Sequence, residues 1–304
     1  MTAIGGTARL LTASASRAAR VVITLGVLAA AATVALAATG LADPGTLTAR
    51  AQVAAPVPAP AAPPLSLAEQ ERFLAKAKVV ATREVSTGVT GTVQVTLDDG
   101  TRRHDASVQR IDETKKVFRV PGGKRELNFR DSWKFNLAAY HIAQLIGLDA
   151  VPATIERSLG GMPASYTWWV DDVILDEGAR QAKNIEAPDV RRWEHQVMTM
   201  RVFDALIANT DRNKGNLLID KDWRAWYIDH SRAFRRSPEL LAPEMIVRCD
   251  RRLLEALRAL DPAALRAKTS RWLTDEEISA VLARRDALVA RFDKQPGAVY
   301  TYAP

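Results

Sequence analysis

The stretch that most constrains this chain runs from residue 201 to residue 234, where the sequence changes character three times. Apolar residues first recur at helical spacing over 202–207. A polar loop of sequence Asp-Arg-Asn-Lys-Gly-Asn follows at 211–216, and two short apolar runs then flank the turn-like residues 220–222. This pattern predicts a helix, a loop and a β-hairpin, with Asp229 at the end of the hairpin.

Three polar side chains of this stretch are candidates for one site. Asp211 and Asn216 share the loop, and the hairpin brings the chain back so that Asp229 lies near them. A phosphoryl-transfer site needs one Asp to orient and deprotonate the attacking hydroxyl, and an Asn and an Asp to hold Mg²⁺ or Mn²⁺ on the phosphates. Hard oxygen ligands suit these ions. We therefore predict Asp211 as the catalytic residue and Asn216 and Asp229 as metal ligands.

The order and spacing of these residues resemble the catalytic loop and metal-binding aspartate of protein-kinase-like enzymes. The atypical branches are the closer likeness: HipA-type kinases, phosphatidylinositol kinases and the Golgi secretory-pathway kinases. The Golgi enzymes carry a D-R-H loop and an L-D-N-G-R-G-F motif, to which residues 211–213 and 228–234 are similar. The resemblance implies an α+β, two-lobed atypical kinase-like fold, with a small β-rich N-lobe and a mainly helical C-lobe. It also implies a phosphotransferase that depends on ATP and a divalent metal.

The N-lobe of such a fold is expected in residues 66–175 and the C-lobe in residues 176–304. Residues 79–111 read as three strands of an antiparallel meander, and an aromatic-rich strand is predicted over 164–175. In a kinase-like N-lobe these elements supply a glycine loop over the nucleotide and a hinge whose backbone binds adenine. The candidates for binding the nucleotide are Gly88, Gly91, Gln109, Trp168, Trp169 and Val170. Core packing explains the two tryptophans equally well.

The lysine–glutamate ion pair of kinases is replaced in this sequence. Gln109 stands about where the lysine is expected, and a carboxamide cannot supply charge to a phosphate. The acidic partner belongs on the helix predicted over 131–147, with Ser132 as its cap, and its position is occupied by Asn136. Charged residues in between could substitute, and they are Glu113, Lys115, Lys116 and Glu126.

Further helices are predicted from spacing and caps. Ser66 precedes the first, a long helix covers 189–208, and the capping box of Thr274 and Glu277 starts another that runs to about residue 292. The four histidines show no metal-ligand spacing. Of these, His230 follows Asp229 directly, and we expect a structural role for it.

The amino terminus has a different composition. Residues 1–20 are a basic lead, 21–42 contain no charge, and 43–65 form a linker rich in Pro and Ala. The uncharged segment fits either a transmembrane anchor or a cleaved signal peptide. The arginines before it favour a cytoplasmic amino end. We therefore expect a membrane-anchored or exported protein whose folded domain is extracytoplasmic.

Two rival functions stay open. The first is a membrane-anchored or exported pseudokinase that acts as a binding module, which the replaced ion pair favours. The second is an unrelated metal-dependent hydrolase that uses the same carboxylates. A net charge of +7 without a basic run does not indicate nucleic-acid binding. The expected partners are a nucleotide, the membrane through the N-terminal segment, and a substrate that the sequence does not identify as protein, sugar or lipid.

Overall fold

The computed structural model describes residues 65–85, 92–119 and 125–302. The basic lead, the uncharged segment and nearly all of the Pro/Ala linker lie outside the described residues. Gly88 and Gly91 lie outside them as well. Every structural statement below concerns the described residues.

The described chain is an α+β fold, as predicted. The helices are α1 Leu67–Lys76, α2 Lys134–Leu145, α3 Glu177–Ala182, α4 Val190–Ile207, α5 Arg251–Ala259, α6 Pro262–Thr269 and α7 Asp275–Asp293. The strands are β1 Lys78–Glu84, β2 Val93–Asp98, β3 Arg103–Gln109, β4 Asp112–Arg119, β5 Arg125–Ser132, β6 Thr154–Leu159, β7 Met162–Trp168, β8 Val173–Asp176, β9 Leu217–Asp220, β10 Ala225–Tyr227, β11 Cys249–Asp250 and β12 Val299–Tyr300.

The early strands form an antiparallel five-stranded sheet of order β1-β2-β3-β7-β6. The predicted meander is its first half, with β2 paired to both β1 and β3. Val95 and Leu97 on β2 are fully buried and alternate with less buried neighbours, as one covered face requires. Helices α1 and α2 pack on this sheet through residues that include Leu74 and Phe135.

The segment between β3 and α2 differs from the prediction. It forms the hairpin β4–β5, which the sequence analysis did not identify, and the side chains of 112–117 are exposed. A strand with two exposed faces has no apolar alternation to detect. Ser132 ends β5 instead of starting the helix, and α2 begins at Lys134. Lys115 and Lys116 therefore lie on this hairpin, where Lys115 pairs with Glu113 at 2.6 Å.

The aromatic-rich run predicted as one strand is two strands. β7 ends at Trp168, and β8 begins at Val173 after Asp172, whose φ is +54°. β8 leaves the five-stranded sheet and pairs with β9, in a second sheet of order β8-β9-β10. The backbone reverses here because Asp is one of the few residues that tolerates a left-handed conformation.

The predicted hairpin and long helix are both present. In the β9–β10 pair, Ala225 lies opposite Ile219. The Asp189 side chain caps α4 by accepting from the Arg192 amide at 3.0 Å. At its other end Ala208 adopts a left-handed conformation with φ +49°, which turns the chain sharply into the polar loop.

Helix α7 packs against α4, and α5 and α6 pack against α7. The capping box of α7 is formed as predicted, since the Thr274 hydroxyl accepts from the Glu277 amide at 3.3 Å and Glu277 accepts from the Thr274 amide at 2.8 Å. Helix α6 was not predicted. Cys249 is fully buried in this core. None of the helices in residues 65–85, 92–119 and 125–302 combines the length and the apolarity needed to cross a bilayer.

A fully buried arginine joins α7 to α4. Arg284 donates from Nε to the carbonyl of Leu206 at 2.9 Å and from Nη1 to the carbonyls of Arg235 and Ser237. Leu206 lies in the last turn of α4, where free carbonyls and the helix dipole favour a cation. Burial lowers the pKa of Arg284 to about 10, so the side chain stays charged at neutral pH.

We predict that Arg284→Met lowers the free energy of unfolding by about 3 kcal/mol, because three carbonyls, among them that of the buried Leu206, lose their donor. Urea unfolding followed by circular dichroism measures this. Arg271→Met is the control, since that side chain is 70% exposed and pairs with Glu156 at the surface. The control is expected to lose less than about 1 kcal/mol. Equal losses in the two variants would contradict the assignment.

Candidate active site

A cavity of about 450 Å³ lies where the five-stranded sheet, the β8–β9–β10 sheet and the loop 211–216 meet. All the predicted site residues within the described ranges line it, although they come from three separate parts of the chain. They are Gln109, Trp168, Trp169, Val170, Asp211, Asn216 and Asp229. Their roles stay predictions, but the structure brings them to one place.

Two of the three residues predicted as the hinge, Trp168 and Trp169, use their backbone amides in hydrogen bonds within the protein. Trp168 donates its amide to the carbonyl of Ala153 at 2.8 Å, and Trp169 donates to Asp105 at 3.2 Å. The Trp168 ring stacks on His104 with centroids 3.5 Å apart, so its side chain belongs to the core. Val170 follows these two residues on the cavity wall.

Hydrogen bonds between side chains and backbone amides determine the conformation of the polar loop 211–216. Asn209 donates from Nδ2 to Asp204 at 3.1 Å, and its Oδ1 accepts from the Asp211 amide at 3.1 Å. The Asn213 side chain accepts from the amides of Gly215 and Asn216, at 2.9 and 3.2 Å. These local hydrogen bonds hold Asp211 and Asn216, which are five residues apart in sequence, in a fixed spatial arrangement.

Arg212 joins the loop to the strand that follows it. Its guanidinium forms a two-pronged ion pair with Asp204, at 2.9 and 3.0 Å. From Nη1 it also donates to the carbonyls of Asn216 and Ile228, at 2.8 and 2.7 Å. The side chains of Arg212 and Asp204 are only 11% and 12% exposed. One buried cation therefore sets the distance between the loop 211–216 and the residue before Asp229.

His230 completes this network as a neutral ring. Its Nε2 lies 2.9 Å from Nη2 of Arg212. Because a guanidinium only donates, Nε2 must accept and the proton of the ring lies on Nδ1. Burial, and then the charge of Arg212, lower the pKa of His230 well below its ordinary value. The expected structural role of His230 agrees with this geometry.

Asp229 has an unusual backbone conformation. Its φ is +52°, in the left-handed region that residues other than Gly rarely adopt. Conformations of this kind persist at functional sites when the surrounding structure holds them. The Asp229 carboxylate also lies within 3.4 Å of the Ser231 amide.

The Asp211 side chain is partly accessible to solvent. Its carboxylate is 42% exposed and lies 3.5 Å from Nη1 of Arg232. Nδ2 of Asn216 donates to the Asp211 carbonyl at 3.4 Å, so Oδ1 is the atom through which this predicted ligand would coordinate a metal. Within the described ranges, no three His, Cys, Asp or Glu side chains are grouped closely enough to hold a metal ion.

The two amides at the positions of the kinase ion pair are in contact. Asn136 donates from Nδ2 to Oε1 of Gln109 at 2.6 Å, and both residues are 6% exposed. The sequence analysis paired these positions only through the resemblance. The structure shows a direct hydrogen bond between them.

Asp131 is a buried carboxyl near the site that the sequence analysis missed. It is 5% exposed, and among the described residues its Oδ1 has no hydrogen-bond partner. Burial raises the pKa of Asp131, a hydrogen bond from Ser231 lowers it, and the charge of Asp229 raises it further. The sequence analysis did not identify this carboxyl because it assigned Asp131 to the start of a helix, whereas the residue lies at the end of β5.

We predict that Asp204→Asn lowers the free energy of unfolding by about 3 kcal/mol, because it leaves the buried Arg212 cation without its counter-ion. The measurement is urea unfolding. Asp149→Asn is the matched control, since Asp149 also pairs with an arginine, at 3.0 Å, but is 80% exposed. We expect that variant to unfold within about 1 kcal/mol of the wild type. Similar losses from both substitutions would show that burial of the pair does not matter.

Comparison with known proteins gives relatives by structure alone. No protein-family model and no curated protein sequence matches the chain. Fam20 of hydra, solved with a sugar, superposes with a TM-score of 0.59 at 13% identity, over 78% of this chain and 93% of that one. The Golgi casein kinase superposes with a TM-score of 0.55 at 11% identity, over 76% of this chain and 75% of the kinase.

A structure of the Golgi casein kinase with Mn and ADP bound superposes with a TM-score of 0.53 at 11% identity, over 74% of each chain. Identities this low establish likeness of fold and nothing finer. The described part of the chain therefore has an atypical kinase-like fold, which confirms the resemblance found in the motifs of residues 211–234.

Proposed function

We propose that the chain is a phosphotransferase that depends on ATP and on Mg²⁺ or Mn²⁺. One observation carries the proposal: the hinge residues 168–170, the loop 211–216 and Asp229 line a single cavity. Its volume falls within the range of about 300–1,000 Å³ found for small-molecule sites. The kinase-like fold supports transfer of a phosphoryl group as the reaction class.

Adenine is assigned to the apolar end of the cavity. Val85, Val151 and Leu218 contribute side chains to its walls, and a flat base fits between apolar surfaces. The amides of Trp168 and Trp169 are used within the protein. We therefore assign the main-chain contact with the base to Val170, which narrows the predicted hinge to its last residue.

The donor atoms of the site fit a hard divalent cation. Asn216 offers a carboxamide oxygen and Asp229 a carboxylate, and Mg²⁺ is commonly held by one or two such ligands together with water and phosphate oxygens. That composition does not require a cluster of three acidic side chains. When bound, the ion neutralises the phosphate oxygens on which charge develops during transfer.

Asp211 is assigned to the acceptor. Its carboxylate accepts a hydrogen bond from the acceptor hydroxyl and orients the oxygen toward the γ-phosphorus. As the new O–P bond forms, the bond from the γ-phosphorus to its bridging oxygen breaks, ADP leaves, and the hydroxyl proton passes to Asp211. The exposure of Asp211 leaves room for a protein, sugar, lipid or small-molecule acceptor.

A binding module without catalysis is the second candidate function. The observation that favours it is the neutral contact of Gln109 and Asn136 where kinases have an ion pair. Such a module keeps the cavity and binds nucleotide without transferring phosphate. For either function, we propose that residues 21–42 anchor or export the protein and that the domain is extracytoplasmic.

We predict that ATP with Mg²⁺ raises the melting temperature of the full chain. A ligand at a hundredfold excess over its dissociation constant stabilises the folded state by about 2.7 kcal/mol. Asp229→Asn should abolish the metal-dependent part of the shift, because it removes the charged ligand while Asn still tolerates a left-handed backbone. Asp222→Asn, on the exposed turn of the hairpin, should keep it. No shift of the wild type under any condition would contradict the proposed function.

We predict that Asp211→Asn slows release of phosphate from ATP by about a hundredfold or more, since loss of a general base has effects of this size. The thermal shift with ATP and Mg²⁺ should stay at the wild-type value, because Asp211 is not assigned to the nucleotide. The measurement is phosphate release with Mg²⁺ or Mn²⁺ present. A wild type that binds ATP but releases none would favour the binding module.

A further inference from the structure

A chain of hydrogen bonds along the cavity wall links Thr92 to the segment of Asp229, and the two bonds made by Asn136 are buried. Gln109 donates from Nε2 to the hydroxyl of Thr92 at 3.2 Å, and Asn136 donates to Gln109 at 2.6 Å. The backbone amide of His230 then donates to Oδ1 of Asn136 at 2.8 Å. These bonds link β3, α2 and the residue after Asp229, which are far apart in sequence.

The direction of each bond follows from its neighbours. The amide of His230 can only donate, so the atom of Asn136 that faces it is an oxygen. The nitrogen of Asn136 then faces Gln109, whose oxygen accepts, and the Gln109 nitrogen is left for Thr92. Each carboxamide uses both ends. A lysine and an ionised glutamate would link the same groups with the middle bond reversed, whereas the two carboxamides link them without charge.

The chain acts on the backbone of Asp229. The amide held by Asn136 belongs to the peptide group that joins Asp229 to His230, so the bond restrains the rotation of Asp229 about ψ. Asp229 needs such restraint because its φ of +52° is unfavourable for an L-residue. Asn136 and His230 are 6% and 2% exposed, and water therefore does not compete for these bonds.

The other end of the chain reaches the base of the predicted glycine loop. Val85 donates its amide to the carbonyl of Thr92 at 3.2 Å, which joins the described residues on either side of 86–91. Thr92 and Gln109 both line the cavity. The charged side chains among the described lining residues are Asp176, Asp211 and Asp229. Among the described lining residues no lysine or arginine is present to balance the phosphates, which fits a cation held by Asp229.

We propose that Asn136, oriented by Gln109 and Thr92, is a positioning residue that fixes Asp229 for metal binding through the main chain of His230. The proposal rests on the proposed function, since it assigns the metal at Asp229 to a nucleotide complex. It gives Gln109 and Asn136 a role that does not require charge. The replaced ion pair is then compatible with an active site.

The test is calorimetry of the full chain with ATP, in EDTA and in excess Mg²⁺, and with adenosine alone. The ratio of the two ATP dissociation constants is the metal-dependent gain in affinity. Asn136→Leu has nearly the same size and removes both bonds. We expect it to reduce the gain about tenfold or more, as loss of a residue that orients a metal ligand does. Adenosine affinity should stay at the wild-type value, which a general loss of structure would not allow.

Asn136→Asp is the matched rescue. A carboxylate still accepts from the His230 amide, and Gln109 can reverse its carboxamide to donate to the other oxygen while Thr92 donates to Gln109. We expect the metal-dependent gain to be retained. Loss of the gain in this variant as well as in Asn136→Leu would overturn the proposal, and so would a wild-type gain in Asn136→Leu.

Gln109→Met covers the case in which Asn136→Leu does not fold. It keeps the Asn136–His230 bond but removes the partner that orients Asn136, so a smaller reduction of the gain is expected. An unchanged gain in Gln109→Met would overturn the proposal. If the wild type binds neither ATP nor adenosine, the proposed function itself fails. If the wild type binds ATP but the variants leave its metal-dependent gain in affinity unchanged, only the role of Asn136 fails.

Discussion

The buried ion pair of Arg212 and Asp204 is the interaction on which the site depends. Asp204 lies near the end of α4 and Arg212 lies in the loop that follows, so the pair ties the loop to the helix before it. The same guanidinium holds the carbonyls of Asn216 and Ile228. A lysine could not do this, since only the planar fork of arginine reaches several acceptors at fixed angles. The main role of the pair is to fix the geometry of the loop, because buried ion pairs contribute little net stability by themselves.

Around this pair the polar groups are arranged so that charge is concentrated at the cavity. Arg212 and Asp204 neutralise each other, and His230 is kept uncharged by burial and by the nearby cation. Asn136 and Gln109 add two neutral amides. Asp211 and Asp229 are then the carboxylates that face the cavity from the loop and the hairpin. Neutral groups behind two carboxylates suit the proposed site for a cation and a polyanion, since each buried charge needs a partner.

The β4–β5 hairpin is joined to helix α7 by an ion pair and to the segment after Asp229 by a backbone hydrogen bond. Arg130 on β5 forms an ion pair with the fully buried Glu277 on α7, and Ser132 donates its amide to the Ser231 carbonyl at 2.8 Å. The β4–β5 hairpin is therefore attached to the segment that follows Asp229. This attachment brings the buried carboxyl of Asp131 beside the site. The segment after Asp229 and the hairpin are therefore in direct contact through these few residues.

The local features, which depend on residues close together along the chain, could be predicted from the sequence. The capping box of Thr274 and Glu277, the cap at Asp189 and the hairpin after Asn216 are local patterns, and all three are present. The motif spacing also indicated the kinase-like fold. Only tertiary structure decided the rest, because it depends on contacts between distant segments. Residues 112–117 of β4 are exposed on both faces and leave no apolar pattern. The bond between Gln109 and Asn136, and the reach of Asn136 to His230, exist only once β3, α2 and the segment after Asp229 have packed together.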